Sequence, residues 1–400
     1  MESVQMRICA ALLSSLPFLI APTLAAAKSL TVEPGSSIQA AVDAAAAGDT
    51  IKVMPGDYTE ASGVAGVRIT KPLRLVANGE PGAVRILWNG LDAQRDGILV
   101  EPAEETDPDI DGIEIKGFTV EGFPHNGIFL RHVNNFNIES NESINNLENG
   151  IWPTLSANGQ VKKNVAYGSQ DSALWVEASE NVRVINNELH HSPTGLEITI
   201  SKEITVENND IHDNTVGVGL YHPAGAGLDS PWPYSELGGW HIVNNDIYDN
   251  NEENTAEGGE TSALPPGIGI LLLGVDRVDI RKNQIGGNNF VGVALGDWCL
   301  AVAGSGFDCS PSTPNVEDSV PDYNVVTGNK MAGNHSDTSP YTPEQSPLQP
   351  SDILVFGFEW AYNPGQFGTG VGNCFSGNKT VMTPGHPPLL TFPDPLPACD

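Results

Sequence analysis

The sequence predicts an all-β solenoid, a coil of short parallel strands, and two observations carry that prediction. The first is a phrase that returns: FNIESNES (136–143), VKKNVA (161–166), VINNEL (184–189), VENNDI (206–211), IVNNDI (242–247), IRKNQI (280–285) and VTGNKM (326–331) align on Asn141, Asn164, Asn187, Asn209, Asn245, Asn283 and Asn329. The spacing is 23, 23 and 22 residues, then longer where segments are inserted. The second is a glycine-led phrase between them, NGIFL, NGIWP, SALWV, TGLEI, VGVGL, PGIGI and VGVAL, placed in register on Gly127, Gly150, Ala173, Gly195, Gly217, Gly267 and Gly292. Self-similarity at this period means stacked supersecondary units.

Each unit is too short to hold a long helix. Apolar residues stand five and three positions before the asparagine and again two after it, the period of a strand. Strands of successive coils must then lie parallel, each residue over its equivalent about 4.8 Å away, so that identical side chains form ladders. An inward asparagine at a bend can bond the next asparagine and the turn backbone, as in stacked cross-β structures. The paired asparagines are therefore expected to be corners, not chemistry.

Residues 1–27 read as a signal peptide: Arg7 opens an apolar stretch that closes on Ala25 and Ala27, and the mature chain is expected from Lys28, exported to the periplasm or beyond. No later segment has the roughly 18 consecutive apolar residues of a membrane helix. The solenoid is expected over 28–334, opened by a capping helix in SSIQAAVDAAAAGD (36–49), with 335–400 supplying a loop, a last coil and a cap. Cys9 leaves with the leader, and the four cysteines that remain in an oxidising compartment suggest the disulfides Cys299–Cys309 and Cys374–Cys399. Neither pair has zinc-ligand spacing, and no metal site or cofactor is expected. Loop acids such as Asp229, Glu252, Glu253 and Glu257 leave calcium open. A formal charge of −31 opposes nucleic acid and anionic membranes as partners, and a monomer is expected.

The opening IQAAVDAAAAGDTIKVMPGDY, and the recurring asparagine followed by a G-I or G-V strand, resemble the right-handed parallel β-helix proteins of the pectin-lyase-like superfamily. The resemblance runs over roughly residues 30–330. It implies a single-stranded right-handed parallel β-helix, and it fixes no chemistry, since the superfamily includes lyases, hydrolases, epimerases, adhesins and copper-delivery proteins. Mannuronan epimerases of this superfamily carry Gly-Phe-Asp-Pro-His-(Asp/Glu) where this chain has GIWPT, with Trp152 and Thr154 in the places of the aspartate and the histidine. The aspartate set of polygalacturonases and an arginine–proline signature like that of pectate lyases are also missing.

Insertions mark the face where loops are useful. Segments 222–240 and 297–322 follow the glycine-led strand, and 251–265 and 335–350 precede it, so walls are expected on both sides of that strand stack. Alternation places Phe129, Trp152, Trp175, Glu197, Gly219, Gly269 and Ala294 along its outer floor, with Arg131, Thr154, Glu177, Thr199, Tyr221 and Leu271 as a second row. Three aromatics, an acid and then small residues read as a sugar-stacking platform leading into a roomy pocket. Trp232 and Tyr234 would either contact substrate there or fold the loop back over the rings.

Glu177 and Glu197 are diagonal neighbours with backbones about 7–8 Å apart, within the carboxyl separation of inverting glycosidases. Arg131, Tyr221 and His222 could instead neutralise a uronate and abstract its proton. The catalytic candidates are thus Glu177, Glu197, Tyr221 and His222, and the substrate-binding candidates are Phe129, Arg131, Trp152, Trp175 and Trp232. His125 and Asp171, just before their strands, read as turn residues. Two functions remain: a polysaccharide-binding groove, cleaving its ligand by hydrolysis or elimination if it is an enzyme, and a non-catalytic scaffold or adhesin whose acidic exterior keeps it in solution. His190 and His212 lie in an outward column with Tyr167 and Tyr248, beside Glu188, Asp210 and Asp246, on a face without walls. They are expected to be a solvent-facing stack.

Overall fold

In each coil a glycine-led strand is followed by a strand that ends just before the asparagine and a short strand just after it. Ser172–Glu177, Glu180–Ile185 and Glu188–His190 form one such turn. Each strand pairs in parallel with its equivalents in the neighbouring coils. The result is three parallel stacks of 11, 12 and 11 strands, called here the floor, long and short sheets. This is a right-handed parallel β-helix. The structure, a computed structural model, describes residues 27–223, 230–258, 261–301, 319–334, 351–356, 370–381, 391–392 and 396–399. Residues 1–26 of the expected leader, Asp229, Cys309 and the insertion 335–350 lie outside them.

The two residues of each asparagine pair have different tasks. Asn186, Asn208 and Asn244 adopt left-handed backbone with φ of 56°, 56° and 57°, and Gly328 and Gly377 take the same place in their coils. Asparagine and glycine are the residues that enter this region most readily. The second residue of each pair turns inward and builds a ladder. Nδ2 of Asn141, Asn164, Asn187, Asn209, Asn245, Asn283 and Asn329 each donates to the Oδ1 of the next rung at 2.9–3.1 Å, ending on Asn378. The same Oδ1 also accepts a backbone N–H, as Asn209 does from Asn187 at 2.9 Å. Every buried amide group at the corner therefore has a partner, which avoids a penalty of about 1–3 kcal/mol for each group left unsatisfied.

The sequence reading missed a second corner. Five residues after each ladder asparagine stands Asn146, Ser169, Ser192, Asn214, Asn250, Asn288 or Asn334, again preceded by left-handed backbone at residues such as His191, Asp213, Asp249 and Gly287. From Asn214 onward these side chains bond in a row at 2.9–3.0 Å and end on the Oδ1 of buried Asp352.

Close approach explains the glycine ladder. A Cβ on Gly150 would lie 2.3 Å from the Ala173 carbonyl oxygen, and one on Gly217 would lie 2.6 Å from that of Gly269. This corrects the expected register. Val216 pairs with Ile268 and Ile268 with Val291, so Gly217, Gly269 and Gly292 form the stack. Gly267 is instead a turn residue at φ 94°.

The interior is filled by stacked Val, Ile and Leu from all three sheets. Its open first coil is covered by α1 (Ile38–Ala44), which buries Ile38 and Val42. Ser37 Oγ accepts the Ala40 N–H at 2.9 Å, and buried Glu60 accepts those of Ile38 and Gln39 at 2.6 and 3.1 Å, satisfying donors at the helix start. The helix is shorter than the expected 36–49. Asp49 accepts the N–H groups of Ala46 and Lys28 at 2.9 and 2.7 Å and turns the chain into the strand Thr50–Val53.

At the other end the coil continues past 334 through Ser351–Phe356, Cys374–Ser376, Lys379–Val381 and Thr391–Phe392. Cys374 is joined to Cys399. Cys299 is also disulfide-bonded, its expected partner Cys309 being outside the described residues. Among the described residues no helix is long and apolar enough to cross a membrane.

Candidate functional site

The floor sheet carries a ladder of three rings. Register sets Phe129 over Trp152, and the next coil brings Trp175. Ring centroids are 4.5 Å apart between Phe129 and Trp152, and 4.6 Å between Trp152 and Trp175, with planes 20° and 6° from parallel. Spacing this close to the strand repeat follows from three planar side chains in one column. Trp175 is fixed further by donating Nε1–H to Thr199 Oγ1 at 2.7 Å. All three residues are half-buried.

Glu197 is the next rung after Trp175. It is buried, 5% exposed, and its Oε2 accepts from Ser172 Oγ at 2.8 Å. Glu177 pairs with Thr199 in register, and its Oε2 accepts from Thr154 Oγ1 at 2.8 Å. The diagonal placement of the two acids is thus as expected, but their carboxylates are held by hydroxyls on different coils and at opposite ends of the strand. No sequence pattern marked Ser172 or Thr154 as partners. Arg131, over Thr154, forms an exposed ion pair with Glu105 at 3.4 Å.

Beyond Glu197 the expected roomy pocket is replaced by packing. The corrected register puts Leu271 beyond Gly219, followed by Ala294 and Leu354. These residues form a second apolar cluster with Tyr221, Leu273, Trp298 and Cys299, against which Leu264 packs. Tyr221 and His222 accordingly do not border an open floor, being 1% and 3% exposed. The His222 ring meets Trp240 edge-on at 5.0 Å and Tyr234 at 6.1 Å, and among the described residues nothing hydrogen-bonds its Nε2. Burial, followed by the nearby Arg277 charge, pushes the imidazole down to about 3, so it is neutral at ordinary pH.

Trp232, Tyr234 and Leu155 pack on Ala178, Ile200 and Leu237, and Lys202 Nζ lies 4.9 Å from the centre of the Trp232 ring. Leu155, Ala178 and Ile200 each stand one residue past the end of a floor strand, so Trp232 rests on the corner beside the ring ladder. Among the described residues no three acidic, histidine or cysteine side chains converge to hold a metal ion.

A second ladder stands on the short sheet. Tyr167, His190, His212 and Tyr248 are stacked at 4.6, 5.1 and 5.1 Å with planes within 14° of parallel. Burial holds the His190 imidazole below its ordinary pKa. Burial and then the Asp210 carboxylate push the Tyr248 phenol up to about 12.

Residues 96–229 match the family model described as a right-handed β-helix region. Among solved structures, the A-module of the mannuronan C-5 epimerase AlgE6 from Azotobacter vinelandii is similar over 86% of this chain and 94% of its own, with 16% identity and a TM-score of 0.58. DFA-IIIase from Arthrobacter chlorophenolicus A6 is similar over 84% and 77%, with 15% identity and a TM-score of 0.55. The ORF18 protein of Geobacillus virus E2 is similar over 88% and 62%, with 11% identity and a TM-score of 0.54. At these identities the likeness is one of fold. No curated protein matches the sequence.

Proposed function

We propose that this protein is exported and binds a polysaccharide along the floor sheet, with Phe129, Trp152 and Trp175 as the stacking platform. The observation that carries this reading is the three-ring ladder itself, half-exposed on the outer face of a rigid sheet and followed by Glu197. Sugar faces pack on such rings, and a fixed array saves the ordering cost that mobile side chains would add on binding. The disulfide Cys374–Cys399 supports an oxidising compartment. A fold shared with a module named for mannuronan epimerisation agrees with a carbohydrate ligand.

Binding is favoured over elimination through Tyr221 and His222, because both are buried, 1% and 3% exposed, and packed against the buried rings of Trp298 and Trp240. Glu177, half-buried, is the acid read as bonding a sugar hydroxyl beside the platform, or cleaving the chain there, while Glu197, only 5% exposed, can take part only if the ligand or the strand gives it access. The test is calorimetry and product analysis with neutral and uronate oligosaccharides, with and without calcium. Trp152→Ala and Trp175→Ala are each expected to weaken binding about tenfold, the scale of one lost aromatic contact. Ligand-dependent product that vanishes in Glu197→Gln or Glu177→Gln would add cleavage. Absence of binding across the panel, or binding untouched by both tryptophan variants, would leave the scaffold reading instead.

A further inference from the structure

The ladder on the short sheet stops abruptly. After Tyr248 the same column holds Gly286 and then Ala332. One face of the Tyr248 ring is covered by His212 at 5.1 Å, while the other faces the positions of two successive rungs that carry no ring. A pocket lies there, bounded by Asp246, Tyr248, Gln284, Gly286, Lys330 and Ala332. Each rung spans about 4.8 Å, so the gap has room for a flat six-membered ring to take the next place in the stack.

The rim has its own chemistry. In the adjoining column Asp246, Gln284 and Lys330 follow one another, supplying an acceptor, an amide and an ammonium donor. Gln284 Nε2 already donates to Asp246 Oδ1 at 2.6 Å, which fixes both side chains and leaves further carboxylate and amide capacity facing the gap. A ring with an apolar face and donors and acceptors around its edge meets these groups all at once. A hydrocarbon or aromatic peptide side chain would satisfy the ring and leave the rim unused.

We propose that this slot is a second sugar-binding site, separate from the floor sheet, in which a neutral pyranose stacks on Tyr248 above Gly286 and its hydroxyls bond Asp246, Gln284 and Lys330. Neutral sugars are preferred over uronates because Glu188, Asp210 and Asp246 in the neighbouring column outnumber Lys330 and Lys379, which continue it past the slot. The inference does not rest on the floor-sheet reading.

The test uses the full mature chain and saturation-transfer NMR with cellohexaose, mannohexaose and, as the charged control, hexagalacturonate. In a Trp152→Ala/Trp175→Ala double variant, which blinds the floor sheet, a neutral hexasaccharide is expected still to bind. Adding Tyr248→Ala should weaken that binding about tenfold or more. Should that variant fold poorly, Gly286→Tyr puts at the next rung a residue type the column already accepts, its new Cβ 3.0 Å from the Ala332 carbonyl oxygen, and should abolish the signal. No neutral binding in the floor-blinded protein, binding indifferent to both short-sheet changes, or hexagalacturonate bound as well as the neutral probes would each overturn the proposal. Loss of floor-sheet binding alone, with the Tyr248-dependent signal intact, would count only against the first site.

Discussion

Trp152 and Trp175 lie face to face, 4.6 Å between centroids and 6° from parallel, and Trp175 is tied by its indole N–H to Thr199 on the next coil. The geometry is imposed from below: parallel strands repeat at a spacing close to that between the centres of offset-stacked rings, so two indoles in one column have little choice but to stack. What the fold leaves adjustable is rotation about the side-chain bonds, and the hydrogen bond to Thr199 removes that.

Thr199 is therefore expected to act on ligand binding through Trp175. Thr199→Val keeps the shape and deletes the acceptor, and it should weaken oligosaccharide binding by about threefold to tenfold, in proportion to the rotamer freedom restored to the ring. Thr199→Ser should restore it. Calorimetric titration of the three proteins decides the matter, and equal affinity in Val and Ser variants would remove the positioning role.

The asparagine ladder should be most costly to break in the middle. Asn209 accepts from the backbone and side chain of Asn187 and donates to the Val184 carbonyl and to Asn245. Asn209→Ala leaves the buried Asn187 donors without their acceptor and is expected to destabilise by about 2–4 kcal/mol. Asn378→Ala removes the half-buried last rung, where water can substitute, and should cost less than about 1.5 kcal/mol. Urea midpoints for the two variants give the comparison, and a larger loss at Asn378 would contradict it.

How far the sequence foretold this architecture depends on what each residue responds to. Asn187 and Asn209 announced themselves because a ladder needs one residue type at one period, and the outward column Phe129, Trp152, Trp175 followed by alternation alone. The second corner was equally periodic, at Asn214, Asn250, Asn288 and Asn334, but Ser169 and Ser192 interrupt the pattern: Ser192 Oγ still accepts the Ser169 N–H, whereas among the described residues nothing bonds Ser169 Oγ. PGIGI misled because it holds two glycines: Gly267 meets a turn's need for positive φ and Gly269 the sheet's need for no Cβ, and spacing alone does not separate them. The packing of Trp298 over Leu271 and Tyr221 was illegible, since contact between an insertion and a strand face obeys no period. The same holds for the hydrogen bonds of Ser172 and Thr154 to the two glutamates.

The glycine ladder gives a direct steric test. In Gly150→Ala the new Cβ meets the Ala173 carbonyl oxygen at 2.3 Å, a backbone atom held in a parallel sheet, and relief requires neighbouring coils to move apart. A loss of about 1–3 kcal/mol is expected. Gly258→Ala, with nothing within 4 Å of its Cβ, should fall within about 0.5 kcal/mol of the parent. Thermal denaturation of both variants is sufficient, and similar melting temperatures would show that the close approach does not require glycine.

His222 links the buried second cluster to pH. Its imidazole is held at about 3 in the folded protein against an ordinary value of 6.5, chiefly because burial between Trp240 and Tyr234 opposes the charged form. At high pH the ring is neutral in both folded and unfolded chains and contributes no pH dependence. As pH falls through 6.5 the unfolded chain takes up a proton that the folded one refuses, so stability falls, and it goes on falling until the folded value near 3 is reached. The slope approaches about 1.4 kcal/mol per pH unit. His222→Gln removes this titration and should flatten the decline in urea midpoint between about pH 7.5 and about pH 5.5, the remaining slope belonging to other groups. An unchanged decline in the variant would mean that the imidazole is protonated inside the fold, and that the space between Trp240 and Tyr234 is wet enough to hold a cation.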